Sequence, residues 1–330
     1  MKNVDIVTVG DIAVDAFIRL KEASVHCNIN RSRCELSLRF ADKVPYESVT
    51  EISAVGNSAN ASVAIARLGL RSALISNLGE DTNGRKCLDV LKEEGVETGY
   101  VKFHKNSKTN YHYVLWYEDE RTILVKHEPY EYLFPKKLPE TKWFYLSSLG
   151  NDTLPYHEDI KKILESRPEI KLCFQPGTFQ MKSGVSAMRF FYERAEVFAC
   201  NREEAGKILD TDTQDISALL SKMSALGPKI TLITDGPKGA YMRFENLNYF
   251  MPIYPDPKPP LERTGAGDSF TATFVSALIM SKTPLEALRR APINPMSVVQ
   301  NIGAQKGLLS LKKIEDFLQK APENYRPQKI

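Results

Sequence analysis

An excess of charge of either sign is missing from this sequence: Lys and Arg number 44, Asp and Glu 41, and the formal net charge is only +3. That balance excludes the basic footprint of a nucleic-acid-binding surface. The like-charge pairs (Lys136–Lys137, Lys161–Lys162, Arg289–Arg290, Lys312–Lys313) are isolated and read as solvated faces. Cysteine is scarce. Cys27, Cys34, Cys87, Cys173 and Cys200 form an odd set with no C-x-x-C spacing, which points to neither a disulfide framework nor a thiolate zinc site and predicts a reducing, cytoplasmic setting. The histidines (His26, His104, His112, His127, His157) lack metal-ligand spacing and receive no role. No apolar run is long enough to cross a bilayer: Phe270 to Met280 is about half a span and contains Thr and Ser. Residues 1–6 run straight into a strand pattern with no signal-peptide core, so no membrane partner is expected.

The remaining composition, 42% hydrophobic and 26% charged over 330 residues, belongs to a globular protein and excludes wholly disordered, collagenous and coiled-coil chains. Val4 to Gly10 reads as a buried strand ending on glycine. Residues 24–50 and 98–128 alternate polar and apolar side chains without helical period, which predicts strands of a half-exposed sheet. Small residues (Ala59, Ala61, Ala64, Ala66) mark a helix from Asn57 to Leu68, followed by a strand from Ser72 to Asn77 and a helix from Gly84 to Glu94. Strands are then expected at Trp143–Leu146, Ile170–Phe174, Val197–Ala199 and Ile230–Thr234, with helices near 155–166, 183–194, 202–209 and 214–226. Such alternation implies a mainly parallel sheet with helices on both faces. Five prolines between Pro252 and Pro260 impose an extended connection. Helices at about 266–281, 284–308 and 311–320 complete one α/β domain, with the two strand-rich blocks forming a side sheet.

Chemistry concentrates at Arg263-Thr264-Gly265-Ala266-Gly267-Asp268. Glycines at a helix entry expose backbone N–H groups where the helix dipole is positive, so an anion is stabilised there. A carboxylate beside an anion repels it, so Asp268 is either a general base that deprotonates a hydroxyl attacking phosphorus or a plain N-cap. Gly79 to Gly84 has P-loop spacing but continues Arg85-Lys86 and lacks the hydroxyl for Mg²⁺. No complete G-x-G-x-x-G follows a strand, which weakens a dinucleotide-binding reading. Asp11 and Asp15 follow the first strand, where parallel sheets bind ligands, and are suited either to sugar hydroxyls or to turn chemistry. Gly56-Asn57-Ser58-Ala59-Asn60 offers two amides for hydroxyls or a helix start. Asn201 and Glu204 share a helix face and suit either waters of Mg²⁺ or a capping box. Thr234 to Gly239 is a glycine hairpin that either admits a nucleotide to the backbone or merely turns.

The order of these motifs resembles the ribokinase (pfkB) family of carbohydrate kinases, from the G-D-x-x-x-D at Gly10 to the T-G-A-G-D ending at Asp268. The resemblance implies a three-layer α/β/α fold spanning residues 1–330 as a single domain. It has a mostly parallel central sheet, with a small β-sheet lid inserted from about 11–50 and 98–128. It implies transfer of the γ-phosphoryl of Mg-ATP to a hydroxyl, usually a hydroxymethyl, of a small sugar. Asp268 matches the catalytic base and the N–H groups of Gly265, Ala266 and Gly267 the anion hole. Asp11, Asp15, Gly56, Asn57 and Asn60 match substrate positions, and Thr234, Gly236, Gly239 and Thr264 fall at the nucleotide. Asn201 and Glu204 match the motif that positions Mg²⁺ through water.

Departures from the family pattern carry expectations of their own. Val55 replaces the first of two glycines and is expected to narrow the substrate site. Glu262 and Arg263 replace the Asp-Thr that often serves a monovalent cation, which leaves Arg263 as a candidate fixed cation in that ion's stead. Tyr111, Tyr113, Trp116 and Phe103 offer either a stacking surface for a nucleoside base or packing between lid and core. Alternative readings are a nucleoside kinase of the same family and a non-catalytic sugar- or nucleotide-binding relative. An exposed aromatic lid face also raises a homodimer through the lid.

Overall fold

A computed structural model describes residues 3–28, 34–118 and 120–330. Met1, Lys2, residues 29–33 of the first strand-rich block and Asp119 of the second lie outside the described residues. The first third contains β1 (Ile6–Val9), β2 (Ala13–Leu20), β3 (Ser24–Cys27), β4 (Cys34–Ser37), β5 (Tyr46–Val55), α1 (Asn57–Arg67), β6 (Ser72–Gly79) and α2 (Thr82–Glu93). Next come β7 (Val101–His104), β8 (Asn110–Tyr117), β9 (Glu120–Leu124), β10 (Trp143–Leu146), α3 (Leu154–Ser166), β11 (Lys171–Phe174), α4 (Thr178–Arg194) and β12 (Ala195–Asn201). The last part holds α5 (Arg202–Leu209), α6 (Ile216–Ser224), β13 (Ile230–Thr234), β14 (Ala240–Phe244), β15 (Leu247–Met251), α7 (Ala266–Ile279), α8 (Pro284–Arg290), α9 (Ile293–Val298), α10 (Leu311–Gln319) and β16 (Gln328–Lys329).

A ten-stranded sheet in the order β16-β15-β14-β13-β12-β11-β10-β1-β6-β7 forms the middle layer. Every pair from β13 to β7 is parallel, and the β14, β15 and β16 edge is antiparallel. The central strands are buried on both faces, so alternate side chains feed two separate cores. Ile6, Tyr145, Val197 and Leu232 join the core under α1, α7, α8 and α9. Val7, Phe144, Phe198 and Ile233 face the core under α3, α4, α5 and α6. That division makes the fold three layers. Ala59, Ala61 and Ala64 of α1 are fully buried and let α7, itself buried from Asp268 to Ala277, pack closely against it.

Beside this body stands a four-stranded sheet, β5-β2-β8-β9, with a two-stranded hairpin of β3 and β4. Its strands join antiparallel except β2 and β8, which run parallel. It is the lid-like sheet the sequence implied, with one change of boundary: Val101–His104, inside the second strand-rich block, pairs with β6 and closes the main sheet.

Two further expectations are corrected. The stretch 284–308 is not one helix. Pro292 lacks the N–H a helix interior needs and caps a new helix, so α8 and α9 are separate and short, with Pro295 tolerated in the first turn of α9, and the chain from 299 to 308 is irregular. The cysteine reading also fails at one point. Cys27 and Cys34 occupy opposed positions of the β3–β4 pair and form a disulfide, while Cys87, Cys173 and Cys200 are buried free thiols. The Pro-rich segment 252–260 is an irregular connection, as expected. Among the described residues no helix is long and apolar enough to cross a membrane.

Candidate active site

The carboxyl ends of β1, β10, β11, β12 and β13 open on one edge, where a parallel sheet leaves a crevice. Two cavities lie there. One of about 610 Å³ has a polar lining that includes Asp11, Asp15, Asn57, Asn60, Glu204 and Asp268. The other, about 480 Å³, is walled by Ile253, Tyr254, Pro292, Pro295, Met296 and Val299 and bounded by the β13–β14 hairpin. Arg121, Asn201, Thr234, Arg263 and Gly267 line both, so the cavities meet at the entry of α7.

Asp268 is the third residue of α7, not its cap; the cap position belongs to Gly265, which makes no side-chain bond. Asp268 is 7% exposed, and three amides hold it. Asn57 Nδ2 and Gln175 Nε2 donate to Oδ1 at 2.8 and 3.0 Å, and Asn60 Nδ2 donates to Oδ2 at 2.8 Å. The amides are oriented in turn: Tyr145 donates to Gln175 Oε1, and Gln305 Nε2 donates to Asn60 Oδ1 at 3.1 Å. A carboxylate offers about four acceptor positions, so one remains, on Oδ2. Asn57 and Asn60 therefore neither cap α1 nor stand free; they fix Asp268.

Gly265 has φ +79°, and a Cβ there would sit 2.3 Å from Ala304 Cβ, so conformation and packing both demand glycine. Among the described residues the N–H groups of Gly265 and Gly267 have no backbone partner, and that of Ala266 reaches only Arg263 O at 3.4 Å. These are the orphan donors of a helix start. Just upstream, Glu262 is 3% exposed and uses both oxygens on backbone: Oε2 accepts from Thr264 N at 2.6 Å and Oε1 from Gly303 N at 2.8 Å. Thr264 Oγ1 is buried and unpartnered.

Asp11 Oδ2 accepts from Tyr132 Oη at 2.6 Å and Gly150 N at 2.7 Å, with His127 Nδ1 at 3.3 Å. Burial, with the charge of Asp11 beside it, pushes the Tyr132 phenol far above its ordinary range, so it remains a donor. Asp11 Oδ1 and His112 Nε2 are buried without hydrogen bonds, and Asp15 Oδ1, also without one, has His112 Nδ1 3.2 Å away. Such orphans cost free energy unless a ligand satisfies them, which marks this end of the cavity as a place for hydroxyl groups. Gly56 permits the close approach: a Cβ on it would lie 2.4 Å from Asp11 O.

Asn201 and Glu204 do form a capping box, Asn201 Oδ1 accepting from Glu204 N and Glu204 Oε2 from Asn201 N, both at 2.8 Å. The box occupies one carboxylate oxygen only, and Glu204 lines the polar cavity. Burial, and then the charge of Asp268, raise its pKa, so a cation there would be welcome. Among the described residues no cluster of three metal-binding side chains exists.

Every site residue expected from the sequence lines one of the two cavities. Val55 does not; it is buried opposite Ala13, beside the cavity-lining Gly56. Of the two readings of the four aromatics, stacking on a ligand fails, since none of them lines either cavity. Phe103 lies in the main sheet, Tyr113 is 48% exposed, Tyr111 donates to Glu51, and Trp116 is buried beneath Arg19. Sequence reasoning missed His112, His127, Gln175, Phe179 and Arg121, which line the polar cavity. Gln175 had a signal, since it follows a parallel strand, and His112 shares a strand face with Asn110.

This arrangement defines an α/β protein in which a glycine-rich helix tip with free N–H groups stands beside a fixed carboxylate and a polar cavity. The chain belongs to the pfkB family of carbohydrate kinases, whose model matches residues 24–310, and is a sugar kinase by that membership. Ribokinase of Bacillus subtilis is 26% identical over 271 residues, 80% of this chain and 87% of that protein. Probable fructokinase-5 of Arabidopsis thaliana is 25% identical over 241 residues, 68% and 72% of the two chains. Among solved structures, the Methanocaldococcus jannaschii nucleoside kinase superposes with a TM-score of 0.78 at 18% identity, covering 97% of this chain and 100% of that one. Arabidopsis thaliana ribokinase complexed with ribose and ATP gives 0.78 at 20%, covering 96% and 99%. At these identities the superpositions establish the three-layer fold.

Proposed function

We propose that the chain, acting as one catalytic unit with the small sheet as its lid, transfers the γ-phosphoryl of Mg-ATP to a hydroxymethyl group of a small sugar. The observation that carries this reading is the junction of the two cavities at Gly267, with Asp268 lining only the polar one. Oδ2 of Asp268 takes the proton of the acceptor hydroxyl, and that oxygen bonds to the γ-phosphorus. The bond from phosphorus to the β–γ bridging oxygen breaks, its electron pair leaving with ADP, and the proton passes from Asp268 to solvent as the product departs. The N–H groups of Gly265, Ala266 and Gly267 face the charge of the phosphoryl group. Asp11 and Asp15, with Gly56 making room, hold the other hydroxyls, while Asn57 and Asn60 keep the base in place. Adenine fits the apolar cavity, and Thr234, Gly236, Gly239 and Thr264 border the phosphates. Asn201 and Glu204 would hold Mg²⁺ through water, and the ion when bound shields the phosphate oxygens.

Arg263 borders both cavities, and its Nη1 lies 3.9 Å from where a Cβ on Gly236 would stand. With both oxygens of Glu262 engaged by backbone, Arg263 takes the place of a monovalent cation. Turnover is then expected to be unchanged when potassium is titrated; a strong dependence refutes it. A nucleoside is the second acceptor reading, favoured by Ile123, Val125 and Phe179 in the polar cavity's wall. Release of ADP from Mg-ATP across a panel of sugars and nucleosides tests the proposal. Acceptor-dependent release supports it, and ADP release that no acceptor stimulates refutes it. A non-catalytic binder has no use for the Asp268 carboxylate. A cytoplasmic setting, as expected from the sequence, is tested by fractionation of the source cells. Tyr46, Val49, Tyr113 and Leu124 are exposed on the lid and suit a homodimer, which sedimentation velocity checks: a purely monomeric species counts against it.

A further inference from the structure

Arg121 stands on β9, the edge strand of the lid sheet, opposite Trp116. It lines both cavities, and its Nε is buried with no hydrogen-bond partner. Of the arginines nearby, Arg19 lies 4.2 Å above Trp116 and pairs with Glu47 at 3.1 Å, Arg202 pairs with Asp235 at 2.7 Å, and Arg263 faces the same junction from the body. Among the described residues Arg121 has no ion pair. Arg121 is half-buried, and its enclosed, unbonded Nε is satisfied when an anion joins it at the cavity junction.

The anion can be placed. Asn201, Thr234, Arg263 and Gly267 share with Arg121 the lining of both cavities, and Gly267 contributes a free N–H. Arg121 comes from the lid, whereas the other four belong to the body. A group at the junction is therefore held from opposite sides, by backbone N–H groups below and by a fork of N–H donors above.

We infer that Arg121 is a further catalytic residue, which binds the transferring phosphoryl group from the lid side. The inference rests on the kinase reading above. Arg121 forms and breaks no covalent bond; it neutralises charge on the phosphoryl oxygens while the acceptor oxygen bonds to phosphorus and ADP leaves. Because it sits on the lid sheet, full charge compensation needs the lid in place over the body. Phosphoryl transfer to water is thereby disfavoured when the acceptor is absent.

The test compares magnesium complexes of ADP and of the imido analogue of ATP, binding each to the wild type, Arg121→Gln and Arg121→Lys by calorimetry. In Arg121→Gln the analogue is expected to weaken ~10-fold or more, as for a lost charged hydrogen bond, with ADP unchanged. Arg121→Lys, which keeps the charge and loses the fork, is expected to fall between. With an acceptor from the panel, turnover of Arg121→Gln is expected to drop ~10²-fold. Equal loss for ADP and the analogue, or no loss for either, overturns the inference while leaving the kinase reading intact. A wild type that binds neither nucleotide overturns both. Circular dichroism of each variant identifies a folding defect, in which case Arg121→Lys decides: an analogue affinity equal to the wild type's refutes the role of the fork.

Discussion

The two cavities are built on opposite principles. The polar one keeps buried acceptors waiting, Asp11 Oδ1 and Asp15 Oδ1, and holds Asp268 by three amides. The neighbouring one offers Ile253, Tyr254, Met296 and Val299, which bind by excluding water, while Arg121, Arg263, the α7 entry and the hairpin backbone address charge. The contrast separates discrimination from affinity. Orphaned polar atoms reject a ligand that lacks the matching hydroxyl, because they stay unpaired. An apolar slot is tolerant and supplies free energy in proportion to area.

The comparison can be broken at the base first. Asp268→Asn is expected to cut turnover ~10²–10⁴-fold, the usual worth of a general base, with ADP affinity unchanged by calorimetry. Loss of ADP binding as well would join what the two cavities keep apart. Next in size is Glu204→Gln. Glutamine still completes the capping box, so the melting temperature should hold, while Mg²⁺ needed for half-maximal rate should rise ~10–100-fold. The burial that raises the Glu204 pKa gives a sign as well. A raised carboxyl pKa favours the folded protein while the group is protonated, so that contribution is lost as pH rises through the folded pKa, and bound Mg²⁺ should restore it. The smallest effect belongs to the apolar side. Ile253→Ala removes a few methylene equivalents of contact and should weaken ADP and ATP alike by about tenfold, leaving the acceptor's KM where it was. A changed acceptor preference would show the cavities to be coupled.

The body of the fold was readable because its signals are local. Trp143–Leu146 and Ile230–Thr234 are short apolar runs bounded by turns, and they are strands over those residues. The stretch 284–308 misled because apolar periodicity carries across Pro292, where α8 has ended and α9 starts afresh. The disulfide was hidden for a related reason: an odd cysteine count says nothing about which three lie in the core. Of the site, the residues at motif glycines and strand ends were legible. His112, His127 and Arg121 were not, since their place depends on the register of β8 and β9 against β2 and on a lid folding over the body. The capping reading of Asn201 and Glu204 and their place on the cavity wall are both true, which shows that a structural role does not exclude a chemical one.

The central claim is that a hydroxyl in one cavity and a phosphoryl group in the other meet once, in line, at the tip of α7. The most direct test is the stereochemical course of transfer from ATP made chiral at the γ-phosphorus, using an acceptor that stimulates ADP release. Inversion at phosphorus is the predicted result. Retention would mean two successive displacements through a phosphorylated side chain, and would contradict the account.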